Sequence, residues 1–463
     1  MPDGVLSMSD EQRAILDCTH AFPSSSRTGG VPRDSRAAEA ASRLTREAER
    51  LPFLSMPYAW DLSLKLRGHE EFLRSFRHML LLGIGGSALG ARALQKSFAP
   101  GQDRPGYDGP WLWIADNLDE AAFSAMLDRL PPEETLVVVI SKSGGTLETA
   151  AQYLAVLPWL KQHLPATWQE HLFMVTDAQK GFLRDETDAA FLRSLPVPEY
   201  LGGRYSVLSA VGLVPALFLG INWAALLDGG CTLGRELLEG ASSDPDGFAG
   251  HPAWKIASWA AFWAENGKGQ LLSFCYEPAL ASFGPWFCQL WAESLGKEGK
   301  GSMPVSAVGA TDQHSLLQMF LQGPPDKACL FLGTRNSVRK AAEGCVRLGE
   351  GLREPWAWLS GLSLGEIFQA EALATRMSLV RAGMPLVSLE LPEPSPWQAG
   401  RLIVLLEAVT LLAGWLLGID PLDQPAVEEG KRLARARLGA PGADDERRLL
   451  EEFAAHPREI MEF

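Results

Sequence analysis

Cysteine is scarce in this chain. Six are spread over 463 residues, at 18, 231, 275, 288, 329 and 345, and no two stand in a C-x-x-C pair. That spacing excludes a disulfide scaffold, and several lie in apolar runs such as LLSFCYE and ACLFLG, where a buried free thiol is expected. Basic residues are also in deficit: 42 Lys and Arg against 56 Asp and Glu leave a formal net charge of −14. Nucleic acid is thereby excluded as the main partner, because it demands clustered positive charge; a small anion in a local pocket is not. The N-terminus, MPDGVLSMSDEQR, lacks both a basic start and an apolar run, so no secretory leader is expected and the location is read as cytoplasmic. Two stretches are rich enough in apolar residues to raise the question of a membrane. No charge occurs from Tyr205 to Leu227, and only Glu407 interrupts Leu402 to Leu417. The first holds Ser206, Ser209, Pro215 and Asn222, and the second is short for a crossing of about 20 residues, so both are read as buried helices and no membrane partner is expected.

What is present is the composition of a folded protein, 46% hydrophobic and 21% charged, in a chain long enough for two or three domains. The first 50 residues look like a helical arm with a Ser/Gly/Pro-rich loop, SSSRTGGVPRDS. From Met79 short apolar runs recur: MLLLGI, WLWIAD, LVVVI at 136–140 and LFMVTD, then QLLSFCYE, PVSAVGA and ACLFLG. Helix-length stretches separate them, including an apolar helix near 207–227, WFCQLWAESLG and HSLLQMFLQG. Such alternation indicates βαβ units around parallel sheets flanked by helices, an α/β fold in two successive halves. A charge-rich helical tail closes the chain.

Two glycine-rich turns stand where a strand gives way to a helix, the position at which open α/β sheets bind ligands. GIGGSALG at 83–90 has the wrong spacing for a dinucleotide fingerprint, and SKSGGTLE at 141–148 lacks the order of a nucleotide P-loop. The second turn instead supplies the hydroxyls of Ser141, Ser143 and Thr146, with Gly144 and Gly145 opening the backbone N–H groups to close approach. A phosphomonoester matches these donors. The competing reading is a helix cap, which needs only one such hydroxyl.

Single residues carry further chemistry. Arg204 in GGRYS follows two glycines and precedes the uncharged stretch, which suits a cation positioned to stabilise a developing oxyanion, or else a surface arginine. Gln289 and Glu293 in FCQLWAESLGKEGKG are four apart and share a helix face. A carboxylate at the apolar end of a helix suits a carbon-acid base, while a solvated glutamate paired with Lys297 at i+4 is equally compatible. His314 in GATDQHSLLQMF starts an apolar helix behind two candidate caps, Thr311 and Asp312, and taken alone proves little. In PLDQPAVEEGKRL, Gln424 precedes Lys431 by two helical turns, and Lys431 by itself looks like a surface lysine.

Taken together, GIGGSALG, SKSGGTLET, GGRYS, QLWAESLGKEGKG, GATDQHS and DQPAVEEGK resemble the phosphoglucose isomerase family in its shorter bacterial form. They occur in that family's order from about 83 to 431. The resemblance implies two sugar-isomerase (SIS) domains, 51–235 and 236–430, each a parallel sheet flanked by helices, with an N-terminal helical arm over 1–50 and a C-terminal helical tail over 431–463. It implies reversible conversion of glucose 6-phosphate to fructose 6-phosphate, in glycolysis and gluconeogenesis. Glu293 would then move a proton between C2 and C1, and Arg204 would stabilise the enediolate. His314 and Lys431 match the family's ring-opening residues. Ser141, Lys142, Ser143 and Thr146 match its phosphate loop, while Gly86, Ser87, Gln289 and Gln424 match other substrate contacts. The family's histidine comes from a neighbouring subunit, so the partners implied are a sugar phosphate and a second copy of the chain. No metal or cofactor is implied. Gly144, Gly145 and Leu147 depart from the longer members, which leaves open a broader isomerase acting on mannose 6-phosphate. A non-catalytic SIS-domain sensor is the other alternative, although a sensor needs the anchor and no base.

Overall fold

Runs such as Leu136–Ile140 become strands because a parallel sheet covered by helices buries both faces of each strand, so alternation is not required. The computed structural model describes residues 13–22, 36–335 and 346–461. Among these the strands are β1 (Ile15–Asp17), β2 (His78–Leu82), β3 (Trp111–Ala115), β4 (Thr135–Ser141), β5 (Leu172–Thr176), β6 (Arg193–Pro196), β7 (Gln270–Cys275), β8 (Met303–Val308), β9 (Lys327–Thr334) and β10 (Leu386–Leu391). They make two five-stranded sheets, ordered β3-β2-β4-β5-β6 and β1-β10-β9-β7-β8. Every pairing is parallel except that of β1 with β10. The α/β class with parallel sheets flanked by helices is therefore the observed one.

In the first sheet the chain leaves β2 for β3 on one side and returns to β4 on the other. The crevice beyond the carboxyl ends of β2 and β4 is thus a topological switch point. Leu82 pairs with Val139, so the glycine-rich turns that follow the two strands emerge side by side. A methyl on Gly83 would sit 3.2 Å from the Ile140 carbonyl oxygen.

Three expectations need correction. The N-terminal arm is not wholly helical: beside the helix Arg36–Glu47 it supplies β1, which joins the edge of the second sheet. Its Ser/Gly/Pro-rich stretch lies outside the described residues. The apolar helix near 207–227 is two helices, Ala210–Phe218 and Trp223–Ser243. Gly220 breaks it at φ 72°, with its N–H on the Leu217 carbonyl and that of Ile221 on Ala216, a Schellman ending. The helix expected to begin at His314 starts later, at Leu317, after a 3₁₀ turn over Thr311–His314.

The helix Pro396–Leu416 is long and apolar enough to cross a membrane, but nearly all of it is buried against other helices, chiefly Trp223–Ser243 and Pro252–Glu265. Glu407 lies in its middle, 1% exposed, and its Oε1 has no hydrogen-bond partner. Burial pushes that carboxyl well above the usual range. Of the cysteines, 275 and 329 are buried, 18, 231 and 288 are partly buried, and all five are free; Cys345 lies outside the described residues. Burial raises the Cys288 thiol to about 11 and that of Cys275 to about 12, which makes both unreactive at neutral pH.

Candidate active site

The site is assembled where two tight turns touch. After β2 the chain makes a 3₁₀ turn over Gly85–Ser87 and enters the helix Leu89–Phe98. A second 3₁₀ turn, Gly203–Tyr205, lies against the first. A methyl on Gly86 would sit 2.4 Å from the Gly203 carbonyl oxygen, so the two backbones meet with no room for a side chain. Ser87 is half-buried in the first turn and Arg204 is fixed by the second.

Arg204 is the centre of the arrangement, its side chain only 2% exposed. Buried cations are tolerated when every donor is satisfied. Nε donates to Ser294 Oγ at 2.7 Å, and Nη2 donates to the carbonyls of Pro421 and Asp423 at 2.8 and 3.0 Å. Nη1 donates to Gln424 Oε1 and lies 3.4 Å from Glu293 Oε2. All five N–H groups are thus used, and only those on Nη1 point to groups lining the crevice.

Glu293 and Gln289 come from the helix Phe283–Leu295 and do share its face: Gln289 Nε2 donates to Glu293 Oε1 at 2.9 Å. The other end of the Gln289 amide, Oε1, is buried without a partner. Gly85 packs on this side chain, since a methyl there would sit 2.9 Å from Gln289 Nε2. The Glu293 side chain is 32% exposed. Lys297 does not pair with it. That lysine binds Asp423 Oδ1 at 2.7 Å and the Asp420 carbonyl, tying the helix end to the 420–424 segment.

Beside this cluster, β4 ends at the buried Ser141. Ser141 Oγ and Thr146 Oγ1 are 3.0 Å apart, and the Gly145 N–H reaches Ser143 Oγ at 3.3 Å. Thr146 occupies the N-cap position of the 17-residue helix Leu147–His163, yet its side chain makes no capping bond. The first-turn N–H groups and the positive end of that helix dipole are left facing the loop. Lys142 is partly buried, and desolvation lowers its amine pKa against the opposing pull of Asp177 and Glu199. The loop offers hydroxyls, N–H groups and one cation, the complement of a phosphate.

The C-terminal segment closes one side. After Gln424 comes a 3₁₀ turn, Pro425–Val427, and the helix Glu428–Arg437. Arg435 Nη2 donates to the Gly145 carbonyl at 3.0 Å, which sets this helix over the loop. Lys431, one turn earlier on the same face, is exposed and pairs with Glu428 at 2.6 Å. His314 is not brought to the cluster: it is exposed, and its side chain makes no hydrogen bond or ion pair with the described residues of its own chain. Its neighbour Asp312 does the local capping, accepting from the Val308 N–H and the Ser315 hydroxyl.

Sequence reasoning missed Ser294, Tyr205 and the carbonyls of Pro421 and Asp423. Ser294 and Tyr205 stand inside the quoted motifs, but nothing local to the sequence marks their bonds to Arg204 or to each other.

A model of the phosphoglucose isomerase family matches residues 67–449. The chain belongs to the phosphoglucose isomerase family. Every phosphoglucose isomerase motif read above lies within the matched span. The glucose-6-phosphate isomerase of Rubrobacter xylanophilus is 41% identical over 402 residues, 85% of this chain and 89% of that protein. That of Carboxydothermus hydrogenoformans is 33% identical over 436 residues, 91% of this chain and 92% of the other. Among solved structures, a hypothetical protein from Thermus thermophilus superposes with a TM-score of 0.80 at 31% identity, covering 92% of this chain and all (100%) of that one. A glucose-6-phosphate isomerase from Chlamydia trachomatis gives a TM-score of 0.70 at 23% identity, over 91% of this chain and 90% of that one, a likeness of fold.

Proposed function

We propose that this chain interconverts D-glucose 6-phosphate and D-fructose 6-phosphate, with Glu293 as the base, Arg204 as the enediolate stabiliser and the 141–146 loop as the phosphate anchor. One observation carries the assignment: Nη1 of a buried, fully engaged guanidinium lies 3.4 Å from a partly exposed carboxylate.

The phosphate is held by Ser141, Lys142, Ser143 and Thr146 at the helix N-terminus. Binding there anchors the substrate by a group remote from the reacting carbons. Gly86, Ser87, Gln289 and Gln424 line the sugar's path. Lys431 and a His314 supplied by a second copy of the chain serve ring opening, one proton reaching the ring oxygen and another leaving the anomeric hydroxyl. In the open aldose Glu293 takes the C2 proton, and the bonding pair forms C1=C2 as O1 gains negative charge. Arg204 Nη1 stabilises that charge. A proton passes between the two oxygens, C2 becomes the carbonyl, and the Glu293 carboxyl returns its proton to C1. Each step reverses, which suits an enzyme shared by glycolysis and gluconeogenesis.

Glu293→Gln tests the reading. A positioned base contributes about 10²–10⁴-fold, so kcat is expected to fall at least that far while calorimetric affinity for the sugar phosphate changes by no more than about threefold, as uniform binding is retained. Retained turnover removes Glu293 from the role of base.

A further inference from the structure

We infer that Ser294 and Tyr205 are positioning residues for the isomerisation: with the Pro421 carbonyl they form a closed, buried ring of hydrogen bonds that fixes Arg204 with only Nη1 facing the reacting carbons. The inference deepens the proposed reading of Arg204 and rests on it.

The ring runs from Arg204 Nε to Ser294 Oγ at 2.7 Å, from Ser294 Oγ to Tyr205 Oη at 3.0 Å, from Tyr205 Oη to the Pro421 carbonyl at 3.2 Å, and back from that carbonyl to Arg204 Nη2 at 2.8 Å. Its direction is determined. A carbonyl can only accept, so Tyr205 spends its one proton on Pro421. Ser294 must then donate to the Tyr205 oxygen, and its lone pair takes the Arg204 Nε–H. Reversal of the Ser294–Tyr205 bond would leave the phenol oxygen facing the Pro421 carbonyl oxygen with no proton between them. Ser294 is 0% exposed and Tyr205 2%, so no water competes for these groups. The phenol ring is held by stacking on Phe53 at 4.4 Å between centroids, and burial raises its pKa to about 12, which keeps it a neutral donor.

The ring answers a specific problem. A guanidinium free to move beside a carboxylate closes to about 2.7–2.9 Å and often binds it in bidentate fashion. Here Nη1 stops at 3.4 Å from Glu293 Oε2. Three of the five N–H groups, on Nε and Nη2, are pinned by Ser294 and the Pro421 and Asp423 carbonyls, and Nη1 also donates to Gln424, so the cation cannot swing onto the base. Glu293 and Ser294 are consecutive, and the helical step between them sends one side chain to the crevice and the other to the stem of Arg204. Adjacent residues therefore supply the base and the brace that keeps the cation off it. A stabiliser that needs no reorganisation when charge develops is worth more than one that must be turned.

The experiment compares Tyr205→Phe, Ser294→Ala, the double variant and Arg204→Lys in the full chain. It measures kcat, KM, melting temperature, and inhibition by inorganic phosphate and by a phosphorylated hydroxamate that mimics the enediolate. Loss of one oxyanion donor costs about 10²–10³-fold, so loosening it is expected to cost about tenfold. Tyr205→Phe and Ser294→Ala should each lower kcat and weaken the hydroxamate by about tenfold, while KM and phosphate inhibition stay within about twofold. The double variant should lose less than the product of the single losses, because both break one ring. Tyr205→Phe keeps the stacked ring and carries the test if Ser294→Ala does not fold. Variants that lower only the melting temperature, or weaken phosphate and hydroxamate equally, overturn the inference. If Arg204→Lys leaves hydroxamate inhibition unchanged, the assignment of Arg204 falls, and the brace with it.

Discussion

At Gly86 the geometry leaves no space for one more carbon. The atoms an added methyl would meet, 2.4 Å from the Gly203 oxygen and 2.5 Å from its carbon, are backbone and cannot rotate away. Gly86→Ala must push apart the two turns that carry the first loop and Arg204. Overpacking of this kind costs about 1–3 kcal/mol. Urea unfolding should register that loss together with a fall in kcat. Gly203→Ala is the control, since a methyl there meets nothing within 4 Å; equal damage from both would refute the steric account. Ser141→Ala combined with Thr146→Ala makes a different prediction. It removes two phosphate donors, each worth about 1.5–3 kcal/mol for a charged partner, so KM should rise at least tenfold with kcat nearly kept. A loss confined to kcat would count against the anchor. How legible these residues were depends on how local their signals are. Glu293 and Gln289 were readable because their pairing is an i,i+4 relation on one helix. The partners of Arg204 lie 89 and 90 residues later in one segment and 217 to 220 later in another, and no local pattern encodes such meetings.

Elements were legible where burial is two-sided. β4, buried at all seven positions, is a continuous apolar run and could be little else. β6, RSLP, is a short edge strand with one buried residue, and β1 is three residues long, so neither leaves a run to detect. The split at Gly220 was hidden because both flanking helices are apolar, and apolar content reports burial rather than continuity. The helix Pro396–Leu416 was rightly taken as core, and its buried acid, Glu407, gives a prediction about pH. Glu407 is held protonated in the fold by burial, its folded pKa lying well above the usual range. An unfolded glutamate titrates near ~4.3, so above that pH the unfolded state gives up a proton that the folded state keeps. Stability from this group is complete below the unfolded value and declines as pH rises toward the folded one. Glu407→Gln removes that slope. The variant's melting temperature, compared with wild type, should improve steadily from pH 5 to pH 8; a constant difference would mean that Glu407 does not remain protonated.

The whole molecule is where one predicted site residue stays apart. Arg204, Glu293, Gln289 and Gln424 meet directly, and the helix bearing Lys431 is tied to the 141–146 loop by Arg435. His314 is exposed on its own chain, and its side chain is bonded to none of them. In the proposed homodimer each site takes Glu293 from one protomer and His314 from its partner, across a two-fold interface that repeats the exchange. Complementation then becomes arithmetic. Glu293→Gln and His314→Ala homodimers are each damaged at both sites. In a mixed dimer one site carries both lesions, and the other combines the intact Glu293 of one chain with the intact His314 of the other. Random pairing makes about half of all dimers mixed, each with one working site, so coexpression should restore about a quarter of wild-type activity. Were His314 to act within its own chain, every site would retain one lesion and coexpression would give only the average of the two parents.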